Sequence, residues 1–309
     1  MTPAVRVDRL SRRYRYVAAL DDLTVTLREG AVHGLLGRNG AGKTTLLQIL
    51  AGLVPPTGGR AEVFGADPFE NAGVVSRICL VRESQKYPDG YRVRHVLRAA
   101  ALLLPHWDAA YAARLADDFQ LPPGRPVAKL SRGMLSAVGA VVGLASRAPL
   151  TLFDEPYLGM DAVSRQRLGD HLLADVAVHP RTVVISTHLI DEIADLLEHV
   201  VVLDRGRLVL AAGTDDLRTE AVTVTGAASD VEATVAAAEV LARERLGSVT
   251  RATVRTAGAR LDAPPGAAVR VEPVSLQRLV VHLTAPSGHL TAPSGPAGTS
   301  GPQPQEARR

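Results

Sequence analysis

Apolar and polar residues alternate at the start of the chain. Val5 and Val7, then Leu23, Val25 and Leu27, recur every second position, the period of a strand with one buried face. Two strands are predicted there, joined by a loop near residues 12–22. Residues 31–36 form a short apolar run before a Gly-rich turn and read as a buried strand. A helix is predicted over 44–51, ended by Gly52 and the Pro55–Pro56 pair. Alanine and leucine dominate 91–120, a helical stretch broken at Pro105 and closed by Pro122-Pro123-Gly124. Ser131 is placed to cap a helix over 131–146. Short apolar strands follow at 150–153 and 182–186, with a helix over about 162–178 between them. Residues 191–198 read as helical. Residues 200–203 and 207–210 read as a hairpin across Asp204-Arg205-Gly206.

Strands alternating with helices predict an α/β core with a mostly parallel sheet, and the antiparallel start adds a second β layer. Near Gly213 the pattern changes. Residues 221–283 predict a small α+β unit: a strand, a helix over 230–246, further strands and a last helix over 274–283. Beyond Thr284 the chain is rich in Pro, Gly, Ser and Ala, with Leu-Thr-Ala-Pro-Ser-Gly at 283–288 repeated at 290–295. Such a tract cannot bury enough apolar surface to order itself. The expected division is therefore 1–214, 215–284 and a disordered tail, 285–309, with a helical subdomain at about 84–149 inside the first unit.

Composition narrows this picture. With 46 % apolar and 22 % charged residues the 309-residue chain has a globular profile. Its net charge of +3 is too small to point to nucleic acid. No run approaches the roughly 18 apolar residues of a membrane helix, and the N-terminus has no apolar signal core. The single cysteine, Cys79, excludes an internal disulfide and reads as a packed thiol in a cytoplasmic protein. Only Lys43, Lys86 and Lys129 are lysine among 35 basic residues, so a lysine at a motif position carries weight.

Lys43 stands in such a motif. Gly37-Arg38-Asn39-Gly40-Ala41-Gly42-Lys43-Thr44 fits the phosphate-loop pattern, after a predicted strand and at the opening of a predicted helix. Glycines let successive N–H groups turn toward phosphate oxygens, and the helix start adds its positive dipole end. Lys43 would reach the outer phosphates and Thr44 would ligate Mg²⁺; Thr45 completes the candidate nucleotide contacts. This motif alone specifies a nucleoside triphosphate, not a class of protein. Residues 150–155 form an apolar strand ending in two carboxylates. Asp154 would hold Mg²⁺ and Glu155 would act as general base on an attacking water.

Leu130-Ser131-Arg132-Gly133-Met134, placed before a helix and upstream of that acidic strand, resembles the signature loop of the ABC transporter family. The chain is thus similar to that family's ATP-binding domain over residues 4 to about 215. The expected fold is a P-loop NTPase core of ABC type with an antiparallel β layer, a helical subdomain and a small C-terminal α+β unit.

The resemblance implies ATP and Mg²⁺ as cofactors, and dimerisation with a second ATP-binding subunit, most simply a homodimer. It also implies a separate integral membrane permease, no nucleic acid, and a peripheral position on the inner face of the cell membrane. By the family's pattern Ser131 and Gly133 would touch the γ-phosphate bound by the opposite subunit. His188 would be the switch histidine, contacting the γ-phosphate and the catalytic water with Glu155 and Lys43. Asp161 would sit in the loop that crosses the dimer, while also capping the next helix. Tyr14 would stack on adenine, with Tyr16 as its rival.

The chain departs from the pattern at three positions. Glu83 stands where a glutamine belongs and would contact Mg²⁺ or its water, with Gln85 as a second candidate. Arg132 would add charge near the γ-phosphate at the subunit contact, and Met134 replaces a polar residue. Two other readings stay open: a soluble, non-transport ABC ATPase, and a catalytically degenerate regulatory subunit. The preferred one is an ATP-hydrolysing transporter subunit, with export as the favoured direction.

Overall fold

In the computed structural model, which describes residues 3–83, 85–256, 261 and 263–284, the chain opens with a long hairpin. β1 (Pro3–Tyr14) and β2 (Val17–Arg28) pair antiparallel out to Tyr14↔Val17. The residues expected to loop over 12–22 belong mostly to this ladder. Register shifts around Leu10 and Arg12 interrupt the two-residue period, so the sequence pattern ends the strands early.

β3 (Val32–Leu36), buried along its whole length, turns into α1 (Lys43–Leu50). Then come β4 (Gly58–Val63), the single turn α2 (Ala72–Val75) and β5 (Ile78–Arg82). α3 (Val93–Leu103) and α4 (Ala109–Asp118) flank Pro105, and α5 (Arg132–Ala145) follows. β6 (Leu150–Asp154), α6 (Ala162–Val178) and β7 (Thr182–Thr187) complete the alternation. The helix expected at 191–198 is instead two short 3-10 turns, Ile190–Glu192 and Ala194–Leu196. Ile193 leaves helical geometry between them, at φ −125°, and is completely buried. β8 (His199–Asp204) and β9 (Arg207–Gly213) form the predicted hairpin, with left-handed Arg205 and Gly206 in its turn.

A six-stranded sheet, ordered β5-β6-β7-β3-β8-β9, is parallel except for its edge strand β9. Alternate residues feed two separate cores. Leu35, Leu150, Leu152, Val184 and Val201 pack with α1 and with the antiparallel sheet β2-β1-β4. Leu36, Val81, Phe153, Ile185 and Val202 pack on the other face with α3, α4, α5 and α6. α5 lies against this second face: a Cβ on Gly143 would come 2.4 Å from the Phe153 ring, and one on Gly139 2.8 Å from Val81. Cys79 is buried there, and burial pushes its thiol up to about 11, as a packed and unreactive residue requires.

The chain continues through α7 (Thr214–Glu220), β10 (Ala221–Ala227), α8 (Ala228–Val235), β11 (Glu239–Leu246), β12 (Val249–Arg255), β13 (Val269–Pro273) and α9 (Leu276–Thr284). The last four strands form an antiparallel sheet ordered β11-β12-β10-β13. Its own small core comprises Val224, Val231, Val235, Ala252 and Val254. The helix predicted over 230–246 therefore stops at Val235, and 239–246 is a strand. Val240 pairs with Val254 and Leu246 with Val249, so a partner strand decides the conformation that local propensity left open. Leu279 and Val280 of α9 join the helical-side core beside Leu217 and Ala221. The tail expected at 285–309 lies outside the described residues.

Candidate active site

The chain leaves β3 through a turn that only glycine accommodates at two points. Gly37 (φ +150°) packs so that a Cβ would lie 2.3 Å from the Leu203 carbonyl oxygen. Gly42 (φ +102°) would place one 2.5 Å from the Ala19 carbonyl oxygen. Side chains at either position would push the loop off the β8 end and off the first hairpin. Lys43 opens α1 and is buried, with Nζ donating to the Gly37 carbonyl at 2.8 Å and the Arg38 carbonyl at 3.3 Å. Its side chain is thus folded back over the turn that precedes it. An open hollow of about 460 Å³ lies alongside, lined by Arg38, Asn39, Gly40, Ala41, His188, Asp204 and Arg205.

Asp154 ends β6 and is buried. Its Oδ1 accepts from Thr44 Oγ1 at 3.1 Å and from Ser186 Oγ at 2.6 Å. Glu155 follows in left-handed backbone, φ +51°. Its N–H donates to the Ser186 carbonyl at 3.0 Å, which fixes that unusual turn. The turned carboxylate is held at both ends: Oε1 is 3.5 Å from Lys43 Nζ, and Oε2 is 2.9 Å from His188 Nδ1. Lys43, Thr44, Asp154, Glu155 and His188 therefore form one hydrogen-bonded and ion-paired cluster. A carboxylate beside a histidine, at the mouth of a phosphate-type loop, can orient and deprotonate a water.

Ser186 is the member that sequence reasoning missed. It joins β6 to β7 at Asp154, and its only signal is a hydroxyl directly after the apolar run Val183-Val184-Ile185. Oxygen donors such as Thr44 and Asp154 suit Mg²⁺, which keeps waters and phosphate oxygens in its shell and needs no cage of protein ligands. The described residues contain no cluster of three or more His, Cys, Asp or Glu placed to enclose a metal ion.

The other candidates form a second group. Ser131 caps α5, accepting from the Met134 N–H at 3.2 Å. A Cβ on Gly133 would meet the Gly159 carbonyl oxygen at 2.4 Å, and Ser136 Oγ donates to the Leu158 carbonyl at 2.7 Å. Asp161 caps α6, and the Ser164 backbone N–H holds its carboxyl below the usual range. Among the described residues no hydrogen bond or ion pair links Ser131, Gly133 or Asp161 to the phosphate loop. Glu83, just past β5, is paired with Arg132 of the same chain. Two of the three positions that depart from the family's pattern are therefore each other's partner, which the sequence did not indicate. Tyr14, 41 % exposed, sits at the end of β1 with the Arg12 guanidinium 4.6 Å from its ring centroid. Tyr16 is 96 % exposed.

A phosphate-type loop between a parallel strand and a helix, with an acidic strand end beside its lysine and threonine, defines a nucleoside-triphosphate-binding core. Comparison with known proteins agrees. The family model described as ABC transporter matches residues 20–158. The daunorubicin resistance ATP-binding protein DrrA3 of Streptomyces coeruleorubidus is 33 % identical over 224 residues, spanning 70 % of each chain. YtrB, an ABC transporter ATP-binding protein of Bacillus subtilis, is 26 % identical over 216 residues, spanning 70 % of this chain and 74 % of its own. A solved ATP-binding subunit of an ABC transporter superposes with a TM-score of 0.63 at 26 % identity, over 70 % of this chain and 92 % of that one. A dimeric cassette bound to ADP and phosphate shares the fold, with a TM-score of 0.61 at 19 % identity. This chain belongs to the ATP-binding subunits of the ABC transporter family.

Proposed function

We propose that the chain hydrolyses MgATP to drive export through a separate membrane permease, acting as a dimer of ATP-binding subunits. The observation that carries this reading is Glu155, held between Lys43 and His188 beside the Thr44–Asp154 pair.

In this reading the amides of residues 37–44 and Lys43 bind the triphosphate, and Tyr14 offers an aromatic face to adenine. Thr44 and Asp154 hold Mg²⁺, with Glu83 near its water shell; the ion neutralises charge on the β- and γ-phosphates. Glu155 orients and deprotonates the attacking water, and His188 steadies that carboxylate. Binding the γ-phosphate requires Lys43 to exchange carbonyl partners for phosphate oxygens. Among the described residues Ser131, Gly133 and Asp161 have no bond to their own phosphate loop. That supports a role across a dimer, where each ATP would bridge two subunits and favour the closed state by differential affinity.

Export is supported by relatives named for daunorubicin resistance and for bacitracin transport, the latter from Bacillus licheniformis. A separate permease on the inner face of the membrane is supported by one surface feature. A groove of about 420 Å³, lined by residues including Val81, Tyr87, Tyr91, Leu103 and Val142, opens between β5 and the helical region and suits an inserted helix. Within this scheme residues 1–214 form the ATP-binding domain and 215–284 an accessory unit.

The test is a MgATP titration and a phosphate-release assay on the purified chain and on Lys43→Ala. The chain should bind MgATP and release phosphate, and the variant should lose both. Absence of MgATP binding by the unaltered chain refutes the reading.

A further inference from the structure

Glu83 and Arg132 lie in different loops, yet each is fixed where the other can reach it. In the β5–β6 ladder Arg82 stands opposite Asp154. Glu83 is the next residue, on the level at which β6 delivers Glu155. Glu83 and Glu155 thus follow neighbouring strand ends at the same level. Arg132 Nη2 pairs with Glu83 Oε1.

Arg132 is in turn held from behind. A Cβ on Gly159 would lie 2.8 Å from its Cγ and 3.1 Å from its Cδ, so the stem of Arg132 is laid across that glycine. The neighbouring residues lock the same contact, Gly133 against the Gly159 carbonyl and Ser136 to the Leu158 carbonyl at 2.7 Å. The base of α5 and the 158–160 turn form one docked unit, and Arg132 reaches out of it to Glu83.

We propose that Arg132 is a positioning residue for Glu83: it holds the Glu83 carboxylate in an ion pair and thereby competes with the nucleotide's divalent cation for it. The inference rests on the reading that Thr44 and Asp154 receive that cation beside Glu83. It follows that Arg132 raises the cation concentration the site requires. It follows too that any shift of the α5 base and the 158–160 turn changes how available Glu83 is. Both partners are partly solvated, with side-chain exposures of 63 % and 38 %. The pair is therefore weak enough to be exchanged.

The test uses Mn²⁺ as the probe, with free ion counted by electron paramagnetic resonance. The full chain is held in a saturating non-hydrolysable ATP analogue, so no turnover is needed. Arg132→Gln should lower half-saturating Mn²⁺ by about two- to fivefold, the range an exposed ion pair can supply. Arg132→Lys, which keeps the charge, should remain near the unaltered chain. In a Glu83→Gln background the same Arg132→Gln change should have no effect, because Arg132 acts only through Glu83. Arg132→Met gives a second neutral variant if glutamine disturbs the helix start. Equal shifts in both backgrounds, or no shift in either, overturn the proposal. If the unaltered chain takes up no Mn²⁺ with the analogue, the ATP-site reading fails and this proposal fails with it. If it takes up Mn²⁺ but the cycle is additive, only this proposal fails.

Discussion

Replacing Glu155 with glutamine separates two effects of one side chain. Glutamine keeps the volume and one carbonyl oxygen, but it cannot take a proton from water. A positioned general base contributes about 10²–10⁴ in rate, which corresponds to ~2.7–5.5 kcal/mol of barrier. The same change removes the counter-charge of Lys43, whose Nζ lies 3.5 Å from Glu155 Oε1 with both side chains nearly buried. At an effective dielectric near 20 the bare attraction of such a pair is about 4–5 kcal/mol, most of it offset by desolvation. The uncompensated part of the Lys43 charge then favours an anionic triphosphate. Glu155→Gln should therefore cut single-turnover phosphate release by at least ~10²-fold, while the MgATP Kd stays level or falls. Quenched-flow hydrolysis and equilibrium titration on the same preparation give both numbers. Turnover within about tenfold of the unaltered chain, or parallel loss of binding and turnover, would refute the general-base assignment.

Two further predictions concern stability. Asp175, buried in α6, is paired with both Arg147 and Arg181; Asp175→Asn leaves the buried Arg181 guanidinium without its counter-charge and should cost about 3–5 kcal/mol, read as a lower urea midpoint. His33 is buried with Nε2 donating to the Arg28 carbonyl at 2.9 Å, beside His199 and Glu198, and burial holds its pKa below the ordinary 6.5. The unfolded chain takes up a proton at His33 as pH falls through about 6.5, before the folded chain does, so this contribution to stability declines below that pH. His33→Gln should flatten that part of the urea-midpoint profile between about pH 7 and pH 5; an unchanged slope rejects the assignment.

What the sequence made legible was chemistry written into contiguous residues. Residues 37–44 must supply glycines, a lysine and a hydroxyl in fixed order, because one turn of backbone carries all of them. The 204–206 turn was equally legible, since left-handed positions favour glycine locally. What escaped was decided by partners far along the chain. Ser186 reaches Asp154 across 32 residues, and Arg132 reaches Glu83 across 49. The β11 strand was misread because its alternation is weak, and only pairing with β12 makes it a strand. The extension of β1 and β2 was hidden by register shifts that scramble the period.

The two ends of the parallel sheet divide the work. At the C-terminal ends, β3 delivers Gly37, β5 delivers Glu83, β6 delivers Asp154 and Glu155, and β7 leads to His188. This is where open parallel sheets gather ligands. Here the backbone takes left-handed turns at Gly37, Gly42 and Glu155, and polar groups face a hollow. At the opposite ends, Arg147 precedes β6 and Arg181 precedes β7, and Asp175 and Asp108 close the ion network around Arg147. Asp108 begins α4, so this network ties the helical region to the core sheet from behind. Left-handed backbone and the Lys43–Glu155–His188 cluster lie at one end, and the ion pairs of Asp175 at the other. Among the described residues no hydrogen bond or ion pair links the two sets, so damage to the rear network should lower the folded fraction and leave turnover per folded molecule unchanged. Loss of specific activity in Asp175→Asn at a temperature where it is fully folded would mean that the helical region must be held rigid for the front of the sheet to work.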